Sequence, residues 1–152
     1  GELYAKSVAV FDTYYKSHDQ YLEDHRDGYQ TVGDIAYVDD EGYYFICDRK
    51  KDMIITGGVN VYPAEIENVL DDHPQVAEVA VFGIPDEEWG EAVCAVIVCM
   101  DNLNGKELIN FAKERLSGPK VPKKVFIRSD LPKTGSGKVL KRELKQWVQE
   151  NS

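Results

Sequence analysis

Five consecutive charged residues, Asp48-Arg49-Lys50-Lys51-Asp52, interrupt the chain a third of the way along. Such a run resists burial, so no core strand or helix can pass through it. It predicts an exposed connector between two differently patterned parts, with the properties of a hinge at Lys51. Before it lie short β-like pieces at Leu3–Lys6, Ile35–Val38 and Tyr43–Asp48, with one candidate helix over 19–25. Asp39-Asp40-Glu41-Gly42 between two apolar runs signals a hairpin. Fifty residues of this kind hold too little apolar material for a core of their own. Residues 1–50 are therefore expected to be an incomplete, β-rich end of a larger domain.

After Lys51 the pattern becomes α+β. Pro63 suits the first helical position, and Ile66, Val69, Leu70 and His73 follow at helical spacing. Val76–Phe82 reads as a strand with Ala77, Val79 and Val81 on one face. Ala92–Met100 is apolar throughout, as in a buried central strand. A second helix is expected over 106–116, a third strand over 124–128, and a last helix over 138–149 with Leu140, Leu144, Trp147 and Val148 as its apolar stripe. The expectation for residues 51–152 is a small domain: a short mixed sheet covered by about three helices.

Several classes drop out. The longest apolar run, Ala92–Met100, is far short of the roughly 20 residues that span a bilayer. There is no basic leader with an apolar stretch behind it, and the Gly1 start suggests a piece of a longer chain. Cys47, Cys94 and Cys99 form no disulfide framework, which points to a reducing compartment and a cytoplasmic location. Cys94 and Cys99 are expected on opposite faces of one strand. His18, His25 and His73 lack metal-ligand spacing with the cysteines, so no metal site is expected. No G-x-S-x-G or G-x-G-x-x-G is present.

The net charge of -9 argues against nucleic acid, yet it is unevenly spread. Residues 1–119 carry 9 Lys/Arg against 24 Asp/Glu, and residues 120–145 carry 9 against 2. That basic stretch is either a solvated helix face or a site for a phosphorylated ligand.

Three segments are richer in Gly, Lys and Asp than packing requires. In Gly28-Tyr29-Gln30-Thr31-Val32-Gly33-Asp34 a carboxylate follows a glycine; it can accept two hydrogen bonds from a vicinal diol, or simply cap a turn. In the stretch from Asp48 to Glu67, Gly57-Gly58 permits positive φ or a close backbone approach, and serves equally as an ordinary tight turn. In Leu131-Pro132-Lys133-Thr134-Gly135-Ser136-Gly137-Lys138, a Gly/Ser/Thr loop precedes a lysine at an expected helix start, a good setting for an anion. It is not a Walker A loop, because Pro132 and Val139 stand where glycine and Ser/Thr are needed.

Taken in order, with Gly1-Glu2-Leu3 ahead of them, these segments resemble the adenylate-forming superfamily from Gly1 to about Leu144. That superfamily comprises AMP-dependent acyl-CoA synthetases, luciferases and peptide-synthetase adenylation domains. The resemblance implies a large N-terminal domain, missing here, joined at a hinge to a small C-terminal lid domain. It also implies a reaction in which a carboxylate and MgATP give acyl-AMP, and coenzyme A then gives acyl-CoA after the small domain rotates.

Carried over by position, Lys138 is implied as the catalytic lysine of adenylation, Asp34 and Arg49 as nucleotide-binding residues, and Lys51 as the hinge. Gly57, Gly58, Trp89, Lys120, Lys123 and Lys124 are implied on the CoA and pantetheine path. Pro119 replaces the usual aromatic before Lys120, and Val32 the usual threonine before Gly33-Asp34. Met53-Ile54-Ile55-Thr56-Gly57-Gly58 looks like the acyl-CoA synthetase and coumarate-ligase branch, with a fatty acid as the expected substrate. The cofactors implied are ATP, CoA and the Mg2+ that accompanies ATP. The chain alone is expected to be inactive. The competing readings are a self-standing module binding a nucleotide, CoA or an acyl carrier, and a peptide-synthetase adenylation domain.

Overall fold

Turn chemistry organises the first part of the computed structural model, which describes residues 1–7, 13–100 and 103–151. The chain divides into two compact units, Gly1–Lys51 and Asp52–Ser152. The first contains β1 (Glu2–Ala5), α1 (His18–Glu23), β2 (His25–Arg26), β3 (Tyr29–Val38) and β4 (Tyr44–Arg49). All pairings are antiparallel on β3, with β1 on one edge and β2 and β4 in succession on the other.

The expected helix over 19–25 stops at Glu23, and His25 belongs instead to β2. The reason is Asp27-Gly28, both at positive φ, a two-residue hairpin turn that pairs Arg26 with Tyr29. That turn also makes β3 longer than the four residues expected. The second reversal falls where the sequence placed it: the Asp39 carboxylate accepts from the N–H groups of Glu41 and Tyr43 at 3.0 and 2.9 Å. Among the described residues of this unit only Gln30 and Ala36 are buried, while Tyr43, Tyr44 and Ile46 lie exposed.

The second unit is α+β. It comprises β5 (Ile54–Thr56), β6 (Val59–Val61), α2 (Pro63–Asp71), β7 (Val76–Asp86), β8 (Gly90–Cys99), α3 (Gly105–Lys113), β9 (Lys124–Arg128) and α4 (Lys141–Glu150). Ala92–Cys99 of the apolar run lies in central strand β8, antiparallel to β7 along its length, parallel to β9, and bridged to β5 at Thr56 and Gly90, while Met100, expected in the strand, lies exposed just beyond it. Alternation on β8 sorts the core into two layers. Val93, Ala95 and Ile97 join Ile66 and Leu70 of α2 and Leu108 and Ala112 of α3. Ala92, Cys94 and Val96 join Phe82, Leu144 and Val148 on the other face. Each large side chain fully buried in these layers contributes roughly 1.5–3 kcal/mol.

Helix boundaries have local causes. Pro63 occupies the first turn of α2, and Asn104 with Glu107 forms a capping box at α3. Two expectations are corrected. Ala77 is exposed, because the register slips between Val76 and Glu78 and moves Ala77 out of the alternation. The last helix starts at Lys141, three residues later than expected, because Thr134 to Lys138 closes into a turn of its own.

Cys94 and Cys99 fall in opposite layers, as the odd spacing requires. Burial pushes the Cys94 thiol up to about 12. Cys94 is therefore expected to resist alkylation in the native chain and to react only after unfolding, which mass spectrometry after native labelling would show. No helix among the described residues is long and apolar enough to cross a membrane.

Candidate functional site

In the first unit the reversal between β3 and β4 sets Asp34 directly opposite Arg49. Arg49 Nε lies 3.0 Å from Asp34 Oδ1, and Arg49 Nη1 donates to the Val32 carbonyl at 3.3 Å. Gly33, at φ +73, brings the backbone beneath the guanidinium. One carboxylate oxygen is thus held by arginine and the other remains for a donor such as a diol.

Next to this pair is a cleft of about 680 Å³ lined by Glu2, Thr31, Gly33, Arg49, Lys50 and Lys51 among others. Its rim is tied together by residues to which sequence reasoning assigned no role. Thr31 donates its hydroxyl to Glu2 Oε1 at 2.7 Å and accepts from the Gly33 N–H at 3.0 Å, and Lys50 Nζ meets Glu2 Oε2 at 2.8 Å. The hints in the sequence were the Gly1-Glu2-Leu3 motif, Thr31 within the Gly28–Asp34 segment and Lys50 within the charged run.

The Lys50 ammonium first, and then the Thr31 hydroxyl, hold the Glu2 carboxyl below its usual range. Because the folded value is depressed, this contribution is complete above the ordinary carboxylate range and lost as pH falls through the lowered value. Glu2→Gln is expected to flatten the acid limb of a pH titration of stability for this unit, followed by tyrosine fluorescence.

In the second unit four of the sequence-assigned residues meet around the turn between β5 and β6, whereas Lys138 lies on a separate loop. Gly57 lies at φ +56 in the turn between β5 and β6, and its N–H donates to the Trp89 carbonyl at 2.9 Å. A Cβ at Gly57 would stand 2.7 Å from Trp89 Cε3, so glycine is required by both the backbone and the indole. The Trp89 backbone N–H donates to the Asp86 carboxylate at 3.0 Å, which places the residue's main chain while its ring stays exposed. Lys123 Nζ sits 5.0 Å from the Trp89 ring centroid, and the Lys123 N–H donates to the Val93 carbonyl. Glu91 holds the stem of the same turn, accepting from the Ile55 N–H at 2.8 Å. Gly57, Gly58, Trp89 and Lys123 therefore form one surface, with an aromatic face and an ammonium suited to a nucleotide or a phosphate.

The basic stretch is less uniform than its composition suggests. Lys120 pairs with Glu65 at 2.6 Å, Lys133 with Glu78 and Lys141 with Glu67, so three of its cations neutralise acids of α2 and β7. Lys124 is exposed at the start of β9 opposite Cys94.

Lys138 is exposed and has no ion-pair partner among the described residues. It lies on a tight loop rather than at the helix start, so the α4 dipole is not what serves it. Thr134 N–H donates to the Lys138 carbonyl at 2.8 Å and Lys138 N–H to Thr134 Oγ1 at 3.1 Å, with Gly137 at φ +84 between them. Among the described residues no three His, Cys, Asp or Glu gather as a metal site.

Residues 65–138 match the family model of the AMP-binding enzyme C-terminal domain. The chain is 41% identical over 150 residues to a 2-succinylbenzoate–CoA ligase of Bacillus cereus, an alignment covering 99% of this chain and 31% of that protein. ATP-bound MatB from Rhodopseudomonas palustris matches with a TM-score of 0.91 at 36% identity, over 99% of this chain and 30% of that one. The o-succinylbenzoate CoA synthetase (MenE) of Bacillus subtilis, in complex with its acyl-adenylate intermediate OSB-AMP, matches with a TM-score of 0.88 at 39% identity, over 95% and 30%. The chain spans 31% of the length of the curated relative it matches.

Proposed function

We propose, from the premise that this chain belongs to the adenylate-forming superfamily and carries its AMP-binding enzyme C-terminal domain, that it is the C-terminal part of an AMP-forming carboxylic acid:CoA ligase. In the whole protein a carboxylate oxygen attacks the α-phosphate of ATP, pyrophosphate leaves, and the CoA thiol then displaces AMP from the acyl adenylate. Residues 1–50 would complete a large N-terminal domain and residues 51–152 form the small one, with Lys51 at the hinge.

Lys138 brings a positive charge to the carboxylate and phosphate oxygens as negative charge builds up in the first step. Asp34, oriented by Arg49, accepts from the ribose hydroxyls, and Arg49 faces the ribose or phosphates. Gly57 and Gly58 admit the pantetheine arm, while Trp89, Lys120, Lys123 and Lys124 receive the nucleotide end of CoA. Lys120 meets Glu65 in the unliganded chain, so its engagement with phosphate requires that pair to open.

The observation that most directly supports this reading is the surface made by Gly57, Trp89 and Lys123, where three residues assigned to one ligand from separate motifs meet. The acid is taken to be 2-succinylbenzoate or a similar aryl acid, as the names of the relatives suggest; a fatty acid is the second candidate.

The test has two parts. The longer protein carrying this segment is assayed for CoA-dependent AMP formation with 2-succinylbenzoate and with a medium-chain fatty acid; turnover with neither would remove the ligase assignment. The 152-residue chain is titrated calorimetrically with CoA, AMP and an unrelated polyanion. Weak but CoA-selective binding is expected; equal binding of all three that disappears with salt would reduce the surface to general charge attraction.

A further inference from the structure

We propose that Glu67 and Glu78 are positioning residues for Lys138: they grip the two stems of its loop and so fix where its ammonium can reach. This rests on the role given to Lys138 above. The loop is a closed unit. Leu140 N–H donates to the Pro132 carbonyl at 2.8 Å, Lys133 and Val139 form an antiparallel bridge, and Thr134 and Ser136 share a hydroxyl hydrogen bond at 2.9 Å.

At the entering stem Lys133 pairs with Glu78 of β7, and at the leaving stem Lys141 Nζ lies 2.8 Å from Glu67 Oε1 of α2. Glu67 does more than pair. The same oxygen accepts the Val81 N–H at 2.8 Å, so one carboxylate joins α2, the free edge of β7 and the first residue of α4. Both side chains of the Lys141–Glu67 pair are only 25% exposed, which limits solvent screening. Two acids thus consume the two stem lysines and leave the tip lysine free for a ligand. An unanchored loop of Gly, Ser and Thr would sample many positions, and a displacement of about 1 Å at a reacting group can cost as much as 10²-fold in rate.

The first experiment uses the 152-residue chain and needs no activity. Hydrogen exchange is measured at the Thr134, Lys138 and Leu140 amides in wild type, Glu67→Gln, Glu78→Gln, Lys141→Met and Lys141→Arg. Glu67→Gln keeps an acceptor for Val81 while removing the charge. The two glutamines and Lys141→Met are expected to speed exchange at these amides about tenfold, with β8 amides unchanged and Lys141→Arg near wild type. Unchanged loop exchange, or equal acceleration throughout the unit, overturns the proposal.

The second experiment uses the longer ligase. Glu67→Gln combined with Glu78→Gln is expected to lower kcat for carboxylate-dependent pyrophosphate release about tenfold with little change in KM for ATP, and to spare thioester formation from supplied acyl adenylate. Equal loss of both half-reactions counts against it. Should Lys138→Ala itself leave pyrophosphate release intact, the functional reading of Lys138 fails while the exchange result still decides whether the acids anchor the loop.

Discussion

Lys138→Ala in the longer ligase is expected to slow carboxylate-dependent pyrophosphate release by about 10²- to 10³-fold, the range for losing one preorganised charge-stabilising group. Conversion of supplied acyl adenylate to thioester should be nearly unaffected. The asymmetry follows from the chemistry. Only the first step builds negative charge between an attacking carboxylate and a phosphate, and Lys138 is exposed without an ion-pair partner among the described residues, at the tip of a loop whose stem lysines are occupied. Rapid mixing of enzyme, acid and labelled ATP measures the first step, and synthetic adenylate with CoA the second. Equal loss in both would mean that the lysine has another role.

Gly57→Ala carries the second large effect, and it falls on the other half-reaction. The residue sits at φ +56 with the Trp89 ring where a methyl group would go. Left-handed backbone costs a non-glycine residue roughly 1–2 kcal/mol, and the exposed Trp89 ring must also shift to make room for a methyl group. The second unit should therefore lose at least about 1–2 kcal/mol of stability by urea unfolding. Because a displaced Trp89 ring would leave its place beside Lys123, thioester formation is expected to fall by up to about 10²-fold, with pyrophosphate release much less affected. A variant of unchanged stability would mean that Trp89 can swing aside freely, and the claim that glycine is required there would fail.

These two predictions draw on residues that the sequence singled out by motif, and most of the fold was equally legible. β9 spans Lys124–Arg128 as expected, α2 begins at Pro63, and Ala92–Cys99 of the apolar run lies in the central strand. Each depends on local information: a ring-fixed φ, a turn residue, or an apolar run too dense for a surface. The misreadings were also local in origin. The expected helix over 19–25 runs two residues past Glu23 into the strand that leads to the Asp27-Gly28 turn, and the slip at Ala77 is a pairing irregularity that no periodicity displays.

What the sequence by itself determined was the α+β order and the change in character at the charged run. Periodicity, turn chemistry and motif spacing are written along the chain. Which charges meet was decided only by tertiary structure. Half of the basic residues lie in 120–145, and as a string they looked like one surface awaiting an anion. Folding brings Glu65, Glu67 and Glu78 against Lys120, Lys141 and Lys133, giving three of those cations acidic partners, while Lys138, Lys123 and Lys124 stay exposed. Coulomb attraction depends on distance in space, and distance along the chain does not report it.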